Sequence, residues 1–307
     1  MSLTVTDMAA LGKALRFTAP AKINLVLDVL RRREDGYHDI ESLAVGIGLY
    51  DRLTVVEADT AGVQLECDVA RLETADNLVC RAVRLLARRL HREPACRITL
   101  EKRIPVAVGL GGGSSDAASA LRLCRDLWSG AWNDGDLARW GADLGSDVPL
   151  FFSLPAALVT GRGEIVQPVS LRWSGWVLLI FVNEPVPTAP VYRAWTPDDS
   201  PRREAGRVEA ILTADSARDI MPLLSNDLEP AIRRVAPRVG EAFDGFTAAG
   251  LGPLCLSGAG STLYQLFDEK EEATTHASKI ESLGFNVRTT VVAAPVGPGR
   301  VYHEELG

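Results

Sequence analysis

The stretch from Pro105 to Ala118, Pro-Val-Ala-Val-Gly-Leu-Gly-Gly-Gly-Ser-Ser-Asp-Ala-Ala, constrains the fold more than any other part of the chain. Before it, Cys96–Lys102 alternates apolar and polar residues as a strand does. After it, Ala117, Leu121, Cys124 and Trp128 recur at helical spacing, with no further glycine until Gly130. A strand, a glycine loop and a helix start, in that order, build an anion site. The first N–H groups of a helix lack partners within it, and the positive end of its dipole faces whatever the loop wraps. Glycines let the backbone turn tightly and approach phosphate oxygens closely. The expected ligand is a nucleoside triphosphate, held by Pro105, Val106, Ala107, Val108, Gly109, Leu110, Gly111, Gly112, Gly113, Ser114 and Ser115.

Two better-known phosphate loops do not match. A Walker loop needs Lys-Ser/Thr directly after its last glycine, and no lysine follows here. A dinucleotide fingerprint needs a third glycine where this chain has Ser114. The alternative is a tight turn in which Ser114, Ser115 or Asp116 only caps the helix, a role compatible with phosphate contact.

With 307 residues, the chain suits two modest domains sharing a cleft, or one large domain. A formal charge of −7 argues against non-specific nucleic-acid binding, which needs a basic face. The longest apolar runs, such as Trp176–Val182, are strand-length and too short to span a bilayer. Met1–Gly12 lacks the pattern of a secretory signal and reads as a frayed extension, so the expected location is cytoplasmic. Cys67, Cys80, Cys96, Cys124 and Cys255 have no C-x-x-C spacing, which suits buried free thiols in a reducing compartment. Neither they nor His38, His91, His276 and His303 are spaced as a zinc site. Among 33 basic residues only five are lysines, so Lys22 inside an apolar strand stands out.

Ala14–Leu30 reads as two strands interrupted at Pro20, with Lys22, Asn24, Val26 and Asp28 on one face of the second. A turn at Glu34–Gly36 leads to Tyr37, His38 and strands at Ser42–Ile47, Leu53–Glu57 and Val63–Cys67. Asp76 or Asn77 caps a helix with Leu78, Ala82, Leu85 or Leu86, and Leu90 on its apolar face. A helix over Asp134–Leu144 should end on Gly145. Strands at Ala156–Thr160 and Glu164–Val169 precede a domain boundary within Leu171–Gly175, giving domains 13–170 and 171–307. In the second, Trp176–Val182 is a buried strand. Helices are expected at Glu204–Thr213, Ala217–Leu224, Arg238–Ala249 and Asp268–Leu283, and strands at Leu254–Ser257, Leu263–Phe267 and Val287–Ala293. The class is α+β.

Three separated motifs, Pro20–Asn24, the loop at 105–115 and the second glycine turn Ser257–Ser261, resemble the GHMP kinase superfamily in type and order. The resemblance implies the two-domain GHMP fold, with a deep cleft between an N-terminal ATP-binding domain and a C-terminal substrate-side domain. It implies an ATP-dependent phosphotransferase acting on a hydroxyl of a small molecule, with Mg2+ arriving alongside ATP. Asp35-Gly-Tyr-His38 and Gly145–Pro149 are similar to the branch acting on a cytidine-diphosphate-linked methylerythritol, at its 2-hydroxyl. Through that resemblance Asp147 is implied as the base and Lys22 as the catalytic cation. Tyr37, His38 and Tyr192 are implied on the substrate, Asn24 is added because it shares the strand face of Lys22, and Asn77 and Lys102 are implied at the adenine end. Ser115 or Asp116 could ligate magnesium, but no dense carboxylate cluster fixes the metal, and Ser257–Ser261 should close the cleft. Open alternatives are a homoserine, mevalonate or sugar kinase of the superfamily, a non-catalytic ATP and ligand sensor, and an unrelated nucleotide-binding fold.

Overall fold

The computed structural model describes residues 14–200, 205–299 and 301–304. The N-terminal extension and Glu204, at the start of one expected helix, lie outside these residues. The first half of the chain contributes β1 (Ala14–Arg32), β2 (His38–Glu57), β3 (Gly62–Cys67), β4 (Ala95–Glu101), β5 (Ala156–Gly161) and β6 (Ile165–Pro168). The second contributes β7 (Gly175–Val182), β8 (Ser225–Asn226), β9 (Cys255–Leu256), β10 (Thr262–Phe267), β11 (Val287–Ala294) and β12 (Val301–Glu304). The helices of the first half are α1 (Leu78–Arg89), α2 (Gly112–Leu127) and α3 (Asp134–Gly141). Those of the second are α4 (Thr188–Ala194), α5 (Arg207–Thr213), α6 (Ala217–Ile220), α7 (Glu229–Val235), α8 (Pro237–Ala248) and α9 (Lys270–Ser282).

One sheet runs β12-β1-β2-β4-β3, with β5 and β6 continuing from the first part of β2. The other runs β11-β7-β10-β9. Although β8 and β12 come from the second half of the chain, both pair with β1. In β7 the alternate residues Leu178, Ile180 and Val182 join a core with α7, α8 and α9. Val177, Leu179 and Phe181 face a second core shared with Ile23, Leu25 and Val45 of the other sheet. Burial on both faces explains why this strand is an unbroken apolar run. A third core lies under α1, α2 and α3.

The expected break at Pro20 is absent: β1 is one strand of 19 residues. Its register against β2 shifts at Pro20/Ala21, so Gly48 and Leu49 lie opposite no partner and β2 also runs on as one strand where two were expected. At such a bulge the missing proline N–H costs no ladder bond. A second shift between Asn24 and Val26 resets the alternation. The expected face of Lys22, Asn24, Val26 and Asp28 therefore ends at Asn24. Val26 turns into the core between the sheets, while Asp28 meets Arg207 at 2.6 Å.

Helix α3 stops at Gly141 rather than Leu144. Val148 fills the space beside Gly141, and the following residues tighten into turns through Leu144 N–H to Gly141 O at 2.9 Å. Gly145 is not left-handed. Two unanticipated helices, α4 and α7, carry Pro190 and Pro230 in their first turns. A first-turn proline forfeits no intrahelical bond, so it starts a helix instead of breaking one. All five cysteines are free thiols, and all but the half-buried Cys67 are buried.

Candidate active site

The loop between β4 and α2 is shaped by two glycines. Gly111 precedes the helix with φ of 70°, and a Cβ there would lie 2.9 Å from the Phe151 ring and 3.1 Å from Lys22 Cγ. Gly109 has φ of 82°, and its Cβ would lie 2.1 Å from the Ser257 carbonyl oxygen. Only glycine combines that backbone with that closeness. No side chain caps α2, because the helix begins at Gly112, upstream of the serines expected to cap it. Its first N–H groups and the positive dipole end thus face the loop unmasked.

The second glycine turn docks on this loop. Ser257 Oγ donates to the Gly109 carbonyl at 3.0 Å, and Thr262 N–H donates to the Val108 carbonyl at 3.3 Å. Gly258 and Ala259 then line the same cavity as the loop, a space of about 830 Å³.

Lys22 enters that cavity from β1, and its own N–H donates to the Leu110 carbonyl at 3.0 Å. Its side chain is buried, and Nζ donates to Asn24 Oδ1 at 2.6 Å. Asn24 Nδ2 donates to Ser42 Oγ at 2.8 Å, and Ser42 Oγ donates to the Val26 carbonyl at 2.6 Å, so the amide is oriented from behind. The Tyr264 hydroxyl donates to the Asn24 carbonyl at 2.7 Å. Burial lowers the Lys22 ammonium below the ordinary lysine pKa, and the Asp147 charge opposes that shift. Asp147 and Ser146 line the cavity just before the buried turn Pro149–Phe152. Among the described residues, Lys22 forms no salt bridge.

At the root of the loop, Lys102 Nζ donates to the carboxylates of Asp51 and, at 2.7 Å, of Asp116. Burial pulls the Lys102 ammonium down, but those two carboxylates outweigh it and hold the pKa above its usual value. Burial likewise raises the Asp116 carboxyl, against the pull of Lys102. Asn77 lines the cavity while capping α1: its Oδ1 accepts Val79 N–H at 2.9 Å and its Nδ2 donates to the Leu72 carbonyl at 2.9 Å. Ser114 faces the cavity, whereas Ser115 is fully buried and lines no part of it.

The far end of the cavity is aromatic. The His38 ring is 5.3 Å from that of Tyr192 on α4 and 5.5 Å, edge-on, from that of Trp195. Burial, helped by the Arg32 charge, lowers the His38 pKa and keeps its imidazole neutral near pH 7. Tyr37 stands half-exposed at the mouth, its ring covered by the Arg162 guanidinium at 5.1 Å. Arg162, Arg193 and Leu27 also line the cavity without having been singled out in the sequence. The Gly161-Arg-Gly163 spacing was the available signal for Arg162. Leu27 had none, because the bulge after Asn24 moves it onto this face.

Residues 77–153 match the GHMP kinases N terminal domain and residues 208–284 match the GHMP kinases C terminal domain. A 4-diphosphocytidyl-2-C-methyl-D-erythritol kinase of Geobacter metallireducens is 37% identical over 87% of this chain and 94% of its own. One of Salinibacter ruber is 37% identical over 90% and 98%. A crystal structure of 4-(cytidine 5'-diphospho)-2C-methyl-D-erythritol kinase superposes with a TM-score of 0.76 at 35% identity, covering 91% of this chain and 98% of that one. Homoserine kinase from Cytophaga hutchinsonii shares the fold at a TM-score of 0.71 with 18% identity, over 94% and 97% of the two chains. The chain belongs to the GHMP kinases and, within them, to the 4-diphosphocytidyl-2-C-methyl-D-erythritol kinase family.

Proposed function

We propose that this kinase transfers the γ-phosphoryl group of ATP to the 2-hydroxyl of 4-diphosphocytidyl-2-C-methyl-D-erythritol, in the non-mevalonate route to isoprenoid precursors. The observation that carries this reading is the single cavity lined by Lys22, Asp147, the glycine loop and the His38–Tyr192 rings. Phosphoryl transfer has a loose transition state, so catalysis is mostly positioning and charge neutralisation. The loop amides and the start of α2 cradle the triphosphate. Asp147 accepts the proton of the acceptor hydroxyl, and the Lys22 ammonium offsets charge on the forming alkoxide and the transferring phosphoryl. Asn24 fixes the direction of that ammonium. Tyr37, Tyr192 and the neutral imidazole of His38 receive the cytidine group, since rings stack on a base and an imidazole both donates and accepts.

Among the described residues no group of three or more His, Cys, Asp or Glu could cage a metal ion. Magnesium fits here as an ion held chiefly by nucleotide phosphates and water, with Ser114 and Asp147 offering hard oxygen atoms at the cavity wall. It would neutralise phosphate charge. No described helix is long and apolar enough to cross a membrane, and the free thiols suit work in a reducing cytoplasm.

The test is ADP release with ATP, Mg2+ and the cytidine compound, beside homoserine, mevalonate and galactose. Turnover with the cytidine compound alone is expected. Turnover with another acceptor would overturn the substrate, and ATP binding without any turnover would favour a sensor.

A further inference from the structure

Between the end of β4 at Glu101 and the loop at Pro105, three residues have left the sheet ladder, which stops at the Arg52–Glu101 pair. Among the described residues their three N–H groups bond to no backbone carbonyl, and two aspartate side chains take all of them. Lys102 N–H donates to the Asp68 carboxylate at 2.9 and 3.1 Å. Arg103 N–H and Ile104 N–H donate to Asp51 Oδ1 at 2.6 and 2.8 Å, while Asp51 Oδ2 takes the Lys102 ammonium. Asp51 is fully buried on β2 and lines no part of the cavity.

Asp51 accepts from the Lys102 ammonium and two backbone N–H groups, and the Asp116 carboxyl, raised by burial, also lies against it. Asparagine in its place has one acceptor oxygen and turns its NH2 against either Lys102 or the backbone N–H pair, so the site specifies a carboxylate. What the carboxylate fixes reaches the nucleotide loop by two contacts. Ile104 packs against Gly112, where a Cβ would lie 3.0 Å from Ile104 Cγ2, and the Lys102 ammonium sits 3.3 Å from that same point. The start of α2 is therefore set by residues whose own positions are set from β2.

We infer that Asp51 is a positioning residue for nucleotide binding, acting through Lys102 and Ile104 on the first turn of α2, with Asp68 as a weaker second anchor. This rests on the reading of the loop as the ATP site, but not on the identity of the acceptor. The experiment is calorimetric titration of the full chain with ATP and Mg2+, for wild type, Asp51→Asn and Asp68→Ala, each also melted without nucleotide. Losing charge-assisted hydrogen bonds in a buried setting should weaken ATP binding at least tenfold in Asp51→Asn, a drop on the order of what such bonds supply. The exposed Asp68 should give about threefold, in keeping with the smaller worth of exposed charged contacts. In both variants, KM for the acceptor should stay unchanged. A lowered melting temperature with wild-type ATP affinity would overturn the inference, because it would make the bracket structural only. Should Asp51→Asn fail to fold, Asp68→Ala decides alone, and unchanged affinity there overturns it. A wild type that binds no ATP would instead defeat the reading of the loop itself.

Discussion

Two buried lysines line one cavity under opposite electrostatics. Lys102 lies between two carboxylates, and its pKa is held above the ordinary value despite burial. Lys22 is equally dry, donates to the neutral amide of Asn24, and has its pKa lowered by burial against the Asp147 charge. The first arrangement neutralises a charge within the protein and builds the root of the loop. The second keeps a cation under-compensated, as the phosphoryl-stabilising role proposed for Lys22 requires. Burial alone cannot separate the two; the partners do.

The largest effects fall on the under-compensated region. Asp147→Ala should lower kcat by roughly 10²–10⁴-fold, the usual worth of a general base, with ATP affinity retained in a calorimetric titration. Lys22→Met should be comparably impaired and yet more stable at neutral pH. A lysine whose pKa is depressed on folding contributes its full stability above its unfolded pKa, about 10.4, and loses it progressively as pH falls through the folded pKa. At pH 7 wild type therefore carries a cost that methionine lacks. Melting temperatures measured from pH 7 towards 10 should converge as that cost fades, and a destabilised Lys22→Met at pH 7 would break the contrast.

For Lys102 the sign reverses. Lys102→Met leaves Asp51 and Asp116 facing each other uncompensated, and should cost about 3–5 kcal/mol in urea unfolding. Adding Asp116→Asn to that variant should restore part of the loss, since it removes the carboxyl that burial and Asp51 already push up to about 8 and that must share the site with Asp51. Equal stability of the two lysine variants would erase the distinction between them.

How much of this was legible in the sequence follows the same division. The strand–glycine–helix order located the loop, an unbroken apolar run located β7 and helical periodicity located α1, because all three signals are local. The phase of β1 beyond Asn24 was not legible: a bulge is set by pairing with β2, and one unpaired residue exchanges Val26 for Leu27 at the cavity. Helix α4, which carries Tyr192, was hidden because Pro190 reads as a breaker until its first-turn position is known. Asp51 carried no signal, since its partners come from residues 102–104, about 50 positions away.

The smallest expected effect sharpens the comparison at the aromatic end, where burial, more than charge, sets an ionisation. Tyr192 leans on His38 with ring centroids 5.3 Å apart. Tyr192→Ala removes the ring proposed to receive the cytidine base, a contact worth about 0.5–1.5 kcal/mol, so KM for the acceptor should rise roughly 2–12-fold with kcat and ATP affinity unchanged. The same change should move a pH limb. Burial, then the Arg32 charge, depress the His38 pKa, so the neutral ring is kept above the ordinary value of about 6.5 and is lost only as pH falls through the lower folded pKa. Opening the wall at Tyr192 hydrates the imidazole and relieves the larger of those two causes. The acid rise in acceptor KM should then begin at higher pH in Tyr192→Ala than in wild type. An unmoved limb would mean that a group other than His38 governs it, and that this end of the cavity recognises its ligand by shape alone.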